Sequence, residues 1–269
     1  MSNVERMMST EEKKAVETLL FQLADDDFLF SYRGSEWLGL APHIEEDVAS
    51  SSITQDSMGH AAMYYKLLED LGLGKADDLA HLRPAEERKN SVLTERVNGD
   101  GYYMDTPQYD WAYTVVRSYF YTQAKRAKIN SLKESSYEPL REIAVKVSME
   151  LYYHVMHWKL WFEQLLSSTE EAKNKMISAI ELVVEDMGDL FSYGEKKEFI
   201  ERFELIDSEE KMQSNWLEAL RPTFEKLKLV LPIIPEPKLN GRNGQHTDEL
   251  QTAIDTLSEV YRLDTATNW

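Results

Sequence analysis

The chain has 269 residues, 42% of them hydrophobic and 29% charged, with a formal net charge of −18 and no cysteine. That composition fits a globular protein and excludes a disulfide scaffold, a thiolate nucleophile and any Cys-ligated zinc or iron–sulfur site, so a metal here would need His and carboxylate ligands. So acidic a chain repels phosphate backbones and anionic lipid surfaces, and neither nucleic acid nor a membrane is expected as a partner.

Helical periodicity runs through nearly the whole chain, with no sustained alternation of period two. Ser9 or Thr10 can cap a first helix ending near Gly34, whose stripe is Val16, Leu20, Leu23, Asp27 and Phe30. Of the acids Asp25, Asp26 and Asp27, at least one is expected to hold a specific partner while the others face water. Pro42 opens a second helix to about Leu71, with Glu45, Glu46 and Asp47 in its first turns and Gly72 and Gly74 as its stop. Its stripe is Ala49, Ile53, Asp56, His60, Met63 and Leu67.

Residues 75–109 look irregular and exceed the usual connection length, as the crossover of a ferritin-type bundle does. A third helix near 108–132 is rich in aromatic residues, and a fourth near 138–166 carries Val147, Glu150, His154, His157 and Trp161 on one face. The aromatic helix could line a channel, but packing in a core or interface is the commoner use of such residues. Further helices are expected near 170–190, 195–204, 208–228 and 246–262, with the proline-rich 231–237 extended between the last two. The expectation is one all-α domain over residues 1–269, a four-helix bundle with a long crossover and additional C-terminal helices. The opening residues show no basic stretch followed by an apolar run, so a cytoplasmic location is expected.

Two acid–histidine pairs stand out: Asp56 with His60, and Glu150 with His154, each four residues apart on a helical stripe. Buried carboxylates and imidazoles must satisfy each other or bind something. A di-iron carboxylate centre takes one Glu from each of two helices and a Glu-x-x-His pair from each of the other two. No predicted helix here carries Glu-x-x-His; only His81 has an acid three residues before it, Asp78, and it lies in the crossover. Between Trp111 and Lys133 there is no Asp or Glu at all. The four residues could hold one metal weakly, with Asp26 or Asp27 in support, or pair by charge-assisted hydrogen bonds without metal. Incomplete ligand sets more often mean a satisfied polar core. His157 reads as a packed histidine, with a ligand or proton relay as the alternative.

Ser31–Gly39 (Ser-Tyr-Arg-Gly-Ser-Glu-Trp-Leu-Gly) leading into Ala41-Pro42, the stretch around Asp56, Glu150-x-x-Tyr153-His154, the run from Gly241 to Leu250 and the terminal Trp269 resemble, in order, the structural subunit of the phenylacetyl-CoA epoxidases. The resemblance covers nearly the whole chain. It implies a ferritin-like fold and a place in aerobic phenylacetate breakdown, where a multicomponent monooxygenase epoxidises the ring of phenylacetyl-CoA. It further implies that a sister subunit of the same fold holds the di-iron centre, that a reductase supplies electrons from NADPH, and that this chain is non-catalytic, carries no cofactor of its own and pairs with the catalytic subunit and other components in an oligomer. His60 departs from the neutral polar residue expected of the family, which leaves room for weak residual metal binding at Asp56, His60, Glu150 and His154. Two other readings stay open: a metalloenzyme using those four residues around one or two ions, and a ferritin-type storage protein.

Overall fold

The computed structural model describes residues 8–266, so the first residues read for a leader and the terminal Trp269 lie outside the described part. Helix α1 (Thr10–Ser35) opens on a capping box: the Ser9 hydroxyl accepts from the Glu12 amide, and the Glu12 carboxylate accepts from the Ser9 amide. Helix α2 (Ile44–Asp70) begins two residues after Pro42, with His43 extended at the cap and three acids in the first turn. It stops before Gly72, whose φ of +85° suits a residue without a Cβ. α1 and α2 lie against each other as a helical hairpin, and at Gly34 they approach so closely that an added Cβ would stand 2.5 Å from Thr54 Oγ1.

The crossover is more ordered than its composition suggests. It contains α3 (Ala76–His81), α4 (Val92–Glu95) and an antiparallel ribbon of β1 (Gly99–Asp100) and β2 (Gln108–Tyr109), with Gly99 opposite Tyr109. Elements of two to six residues are too short for periodicity to reveal. Helix α5 (Trp111–Leu132) is capped by Asp110, which accepts from the amides of Ala112 and Tyr113. α6 (Glu138–Leu166) keeps the limits expected from sequence. α7 (Glu170–Glu185), α8 (Lys197–Arg202), α9 (Glu209–Leu227) and α10 (Asp248–Leu263) complete the ten helices among the described residues. α7 ends at Glu185, short of the expected limit, because Asp189 leaves the helical path to accept from Ser91, Val92 and Gly241.

The long helices α1, α2, α5 and α6 form the bundle, and α7 and α9 pack on α5. The aromatics in the middle of α5 are core: Tyr119, Phe120 and Tyr121 are buried, and Phe120 meets Phe162, Trp216 and Phe224, whereas Trp111 and Tyr113 in the first turn are half-buried. Each such fully buried side chain contributes roughly 1.5–3 kcal/mol. The result is an all-α, ferritin-like bundle. No helix among the described residues is long and apolar enough to cross a membrane.

Candidate functional site

The two acid–histidine pairs exist, but not as spaced in sequence. His60 Nε2 lies 2.6 Å from Glu150, and His154 Nε2 lies 2.9 Å from Asp56, so each histidine pairs with the acid of the other helix. α2 and α6 run antiparallel here, which sets His60 beside Glu150 and Asp56 beside His154 in one exchange. The two imidazole rings are 6.2 Å apart. Both histidines are buried, whereas the side chains of Asp56 and Glu150 are 42% and 37% exposed. The acids therefore flank the seam between the helices instead of sharing the core stripe. His157 continues the same ladder toward Glu46, at 2.9 Å, and Trp161 donates to the other oxygen of that carboxylate.

A residue the spacing argument passed over completes the seam. Lys125 of α5 reaches in between α1 and α2, with its Nζ 2.7 Å from Asp27 and 2.7 Å from Nδ1 of His60. The Tyr121 hydroxyl donates to the same Asp27 at 2.8 Å. With the ammonium donating to Nδ1, the ring proton belongs on Nε2, where it is donated to Glu150. Burial, reinforced by the charge of Lys125, holds the His60 pKa far below its ordinary value, so the ring is neutral. Burial likewise pushes Lys125 down and Asp27 up, and their attraction opposes both shifts. His154 is lowered by burial against the pull of Asp56, and Glu150 is raised by burial and by its neighbour Asp56.

None of the three consecutive aspartates faces water, contrary to expectation. Asp25 receives an ion pair from Arg83, a hydrogen bond from Tyr65 and the amide of Lys89 at 2.8 Å. Asp26 is held bidentately by Arg242, both contacts 2.8 Å, and accepts from the Ser91 amide at 2.7 Å and from Lys128 at 3.3 Å. Burial alone would raise both acids, but Arg83 with Arg88, and Arg242 with Lys128, outweigh it and hold them below the usual carboxylate range. Lys128 is pushed down to about 8 by burial, with Asp26 opposing. The triplet thus fastens α1 to three places at once: the crossover, the C-terminal segment and α5.

The other motifs singled out in the sequence serve the same fastening. Arg33 pairs with Glu36 at 2.8 Å and donates to the Glu95 carbonyl, while Asn98 donates to the Arg33 carbonyl and to Glu36. Trp37 donates to Thr114 on α5. In the 241–250 run, His246 lies 2.7 Å from Glu95, and Thr247 gives that same carboxylate both its amide and its hydroxyl hydrogen. Gly241 sits so close beneath Asn90 that a Cβ would fall 1.9 Å from the Asn90 carbonyl oxygen.

These donors do not fit a di-iron centre. The carboxylates and imidazoles are divided into separate pairs, and an ammonium stands on the free nitrogen of His60, where a cation would otherwise have to bind. Among the described residues no three His, Asp or Glu side chains converge as metal ligands would. Sequence held a signal for Lys125: α5 carries Arg117, Lys125, Arg126 and Lys128 and no acid. A wholly basic helix in a strongly acidic chain has its counter-charges on its neighbours, and Asp25–Asp27 on α1 are the acids without an adjacent base.

Fold and seam together define a class of protein: a ferritin-like helical bundle whose centre is knit by lysine–carboxylate and histidine–carboxylate pairs. The profile of the phenylacetic acid catabolic protein family matches residues 1–269, and the chain belongs to that family. It is similar to one of the subunits of the 1,2-phenylacetyl-CoA epoxidase of Escherichia coli (strain K12), at 26% identity over 249 residues, covering 92% of this chain and 96% of that one.

Proposed function

We propose that this chain is the non-catalytic structural subunit of a cytoplasmic, multicomponent monooxygenase that epoxidises the ring of phenylacetyl-CoA in aerobic phenylacetate catabolism. It pairs with a di-iron subunit of the same fold and keeps it soluble and correctly shaped. The similarity to a component of a phenylacetyl-CoA epoxidase supports the pathway and the assembly. The observation that carries the non-catalytic role is Lys125: its ammonium lies between Asp27 and His60, so a positive charge of the protein's own already balances the bundle centre. A dication brought there would meet that charge and would have to displace two short contacts.

Elemental analysis of the chain purified alone, and again with the other subunits of the proposed complex, tests this. No stoichiometric iron in the chain alone, with oxygen-dependent turnover only in the assembled complex, is expected. Iron near two per chain together with turnover by the chain alone overturns the proposal. A second reading, weak binding of one divalent ion, is favoured by the nearness of the two histidine–carboxylate pairs and the exposure of their acids. It loses its basis if His154→Ala leaves the metal content unchanged.

A further inference from the structure

α6 is apolar on two opposite sides. Ala144, Val147, Leu151, Trp158 and Phe162 are buried in the core. Val145, Met149, Tyr152, Tyr153, Met156 and Leu160 make a second stripe at steps of three and four, and every one of them is exposed. Helices apolar all round are covered all round, and monomers rarely leave so continuous a patch in water. From Val145 to Leu160 the stripe runs about 22 Å at 1.5 Å per residue, long enough to seat a helix across a standard interface.

The neighbouring helix extends the patch. Val48, Ser52, Gln55, Gly59 and Ala62 form the solvent side of α2 over four turns, without a charge, in a chain of net charge −18. Edge-to-edge pairing of His60 with Glu150 and of Asp56 with His154 turns both stripes to the same outer side. Gly59 lies mid-helix in this surface, and nothing stands within 4 Å of where its Cβ would be. Glycine inside a helix is less stable than alanine, so the chain itself has no use for it there. Close approach of another backbone is a use.

Charge decides what covers the face. Asp56 and Glu150 are its half-exposed acids, and the exposed Lys146, one turn before Glu150, is a cation beside them, so the acids outnumber it two to one. Each acid already has a histidine partner, but an apolar cover would take away the water that its exposed part keeps, and a cover that brings a cation offsets that loss. A second copy in an isologous contact would set these carboxylates against their own kind and add a further strongly acidic body.

We infer that the outer face of α2 and α6 seats a helix of a different protein, which crosses at Gly59 and sets a basic side chain against Asp56 and Glu150. The inference rests on the pairing proposed above and says where and through which chemistry that pairing is made.

The test is a binding titration between this chain and the di-iron subunit of the proposed complex, followed by Gly59→Leu, Met156→Glu and Asp56→Asn, with sedimentation of each chain alone. Gly59→Leu is expected to weaken binding by about 100-fold or more, since a bulky side chain holds a packed helix away. Asp56→Asn is expected to weaken it about tenfold and to flatten its salt dependence. Gly59→Ala should raise the melting temperature of the chain alone, which shows that the position tolerates a side chain. If the unaltered chain does not bind the di-iron subunit, the proposed function fails. If it binds and Gly59→Leu and Met156→Glu bind equally well while remaining folded, the inference fails and the proposed function stands. A homodimer that Gly59→Leu converts to monomer would put a second copy on this face and would also overturn it.

Discussion

Lys125 and His60 meet side chain to side chain, the ammonium 2.7 Å from Nδ1 of the imidazole, in a position buried from solvent. The contact links α5 to α2, and through Asp27 it also ties in α1. Glu150 on the far side of the His60 ring adds α6, so four helices are joined through one neutral ring and one cation. A di-iron bundle takes carboxylates and Glu-x-x-His pairs at the corresponding centre.

Lys125→Met keeps the aliphatic volume and removes the charge, leaving Asp27 buried with, among the described residues, only the Tyr121 hydroxyl as a hydrogen-bond partner. Stranding one member of a buried pair costs about 3–5 kcal/mol. Urea unfolding followed by circular dichroism should show a lower midpoint with an unchanged slope. The double change Lys125→Met with Asp27→Asn should recover a large part of the loss, because the stranded charge is then gone.

Arg242→Lys tests the bidentate grip on Asp26. Lysine keeps the charge but presents one point where the guanidinium presents a fork, and it cannot reach the carbonyls of Lys89 and Leu190 at the same time. A loss of about 2–4 kcal/mol is expected, within the range for breaking a buried hydrogen-bond network. Limited proteolysis should cut first in the segment around residues 238–247, which Arg242 holds down. Equal stability of the variant would mean that charge alone anchors this segment.

The pH profile follows from the pKa directions. His60 and His154 are both depressed in the folded chain. An unfolded histidine takes up a proton below its ordinary value of about 6.5, while these two stay neutral, so stability is present above that pH and is lost as pH falls. Each can contribute up to about 1.4 kcal/mol per pH unit. Asp25 and Asp26, held below the ordinary carboxylate range, add a further loss as pH drops under about 4. Glu150, raised in the folded chain, works in the opposite sense and partly offsets the slope below its own pKa. Denaturation at pH 7 and pH 5 should show the decline, and His60→Asn should make it shallower. A slope that His60→Asn does not alter would show that this ring does not stay neutral.

Gly241→Ala places a methyl group where the Asn90 carbonyl oxygen stands. The segment must then move off the crossover, which also lengthens the contacts from Gly241 to Asp189 and from His246 to Glu95. A destabilisation of about 2 kcal/mol or more is expected from such a clash and the lost hydrogen bonds. Amide exchange should rise in residues 90–95 before it rises in α1. Uniform exchange would place the cost elsewhere.

Sequence reached the long helices because their signals are local. Ser9 with Glu12, the acids after Pro42 and the glycines after Leu71 act within a turn of where they sit, and the apolar stripes repeat along one element. Composition also set the terms for chemistry, since a chain without cysteine has no Cys-ligated zinc or iron–sulfur site, and one without Glu-x-x-His on any of its long helices lacks the usual ligand pattern for two irons. What the tertiary structure alone decided is who meets whom. His60 takes its acid from α6 and His154 takes its acid from α2, because antiparallel neighbours come closer than residues one turn apart on a single helix. Lys125 and Lys128 gain their acids only when α1 is laid beside α5, and Asp25 to Asp27 read as partly solvated until the crossover and Arg242 close over them. Charges buried far apart in sequence find their partners only when helices pack, and no periodicity within one helix records that meeting.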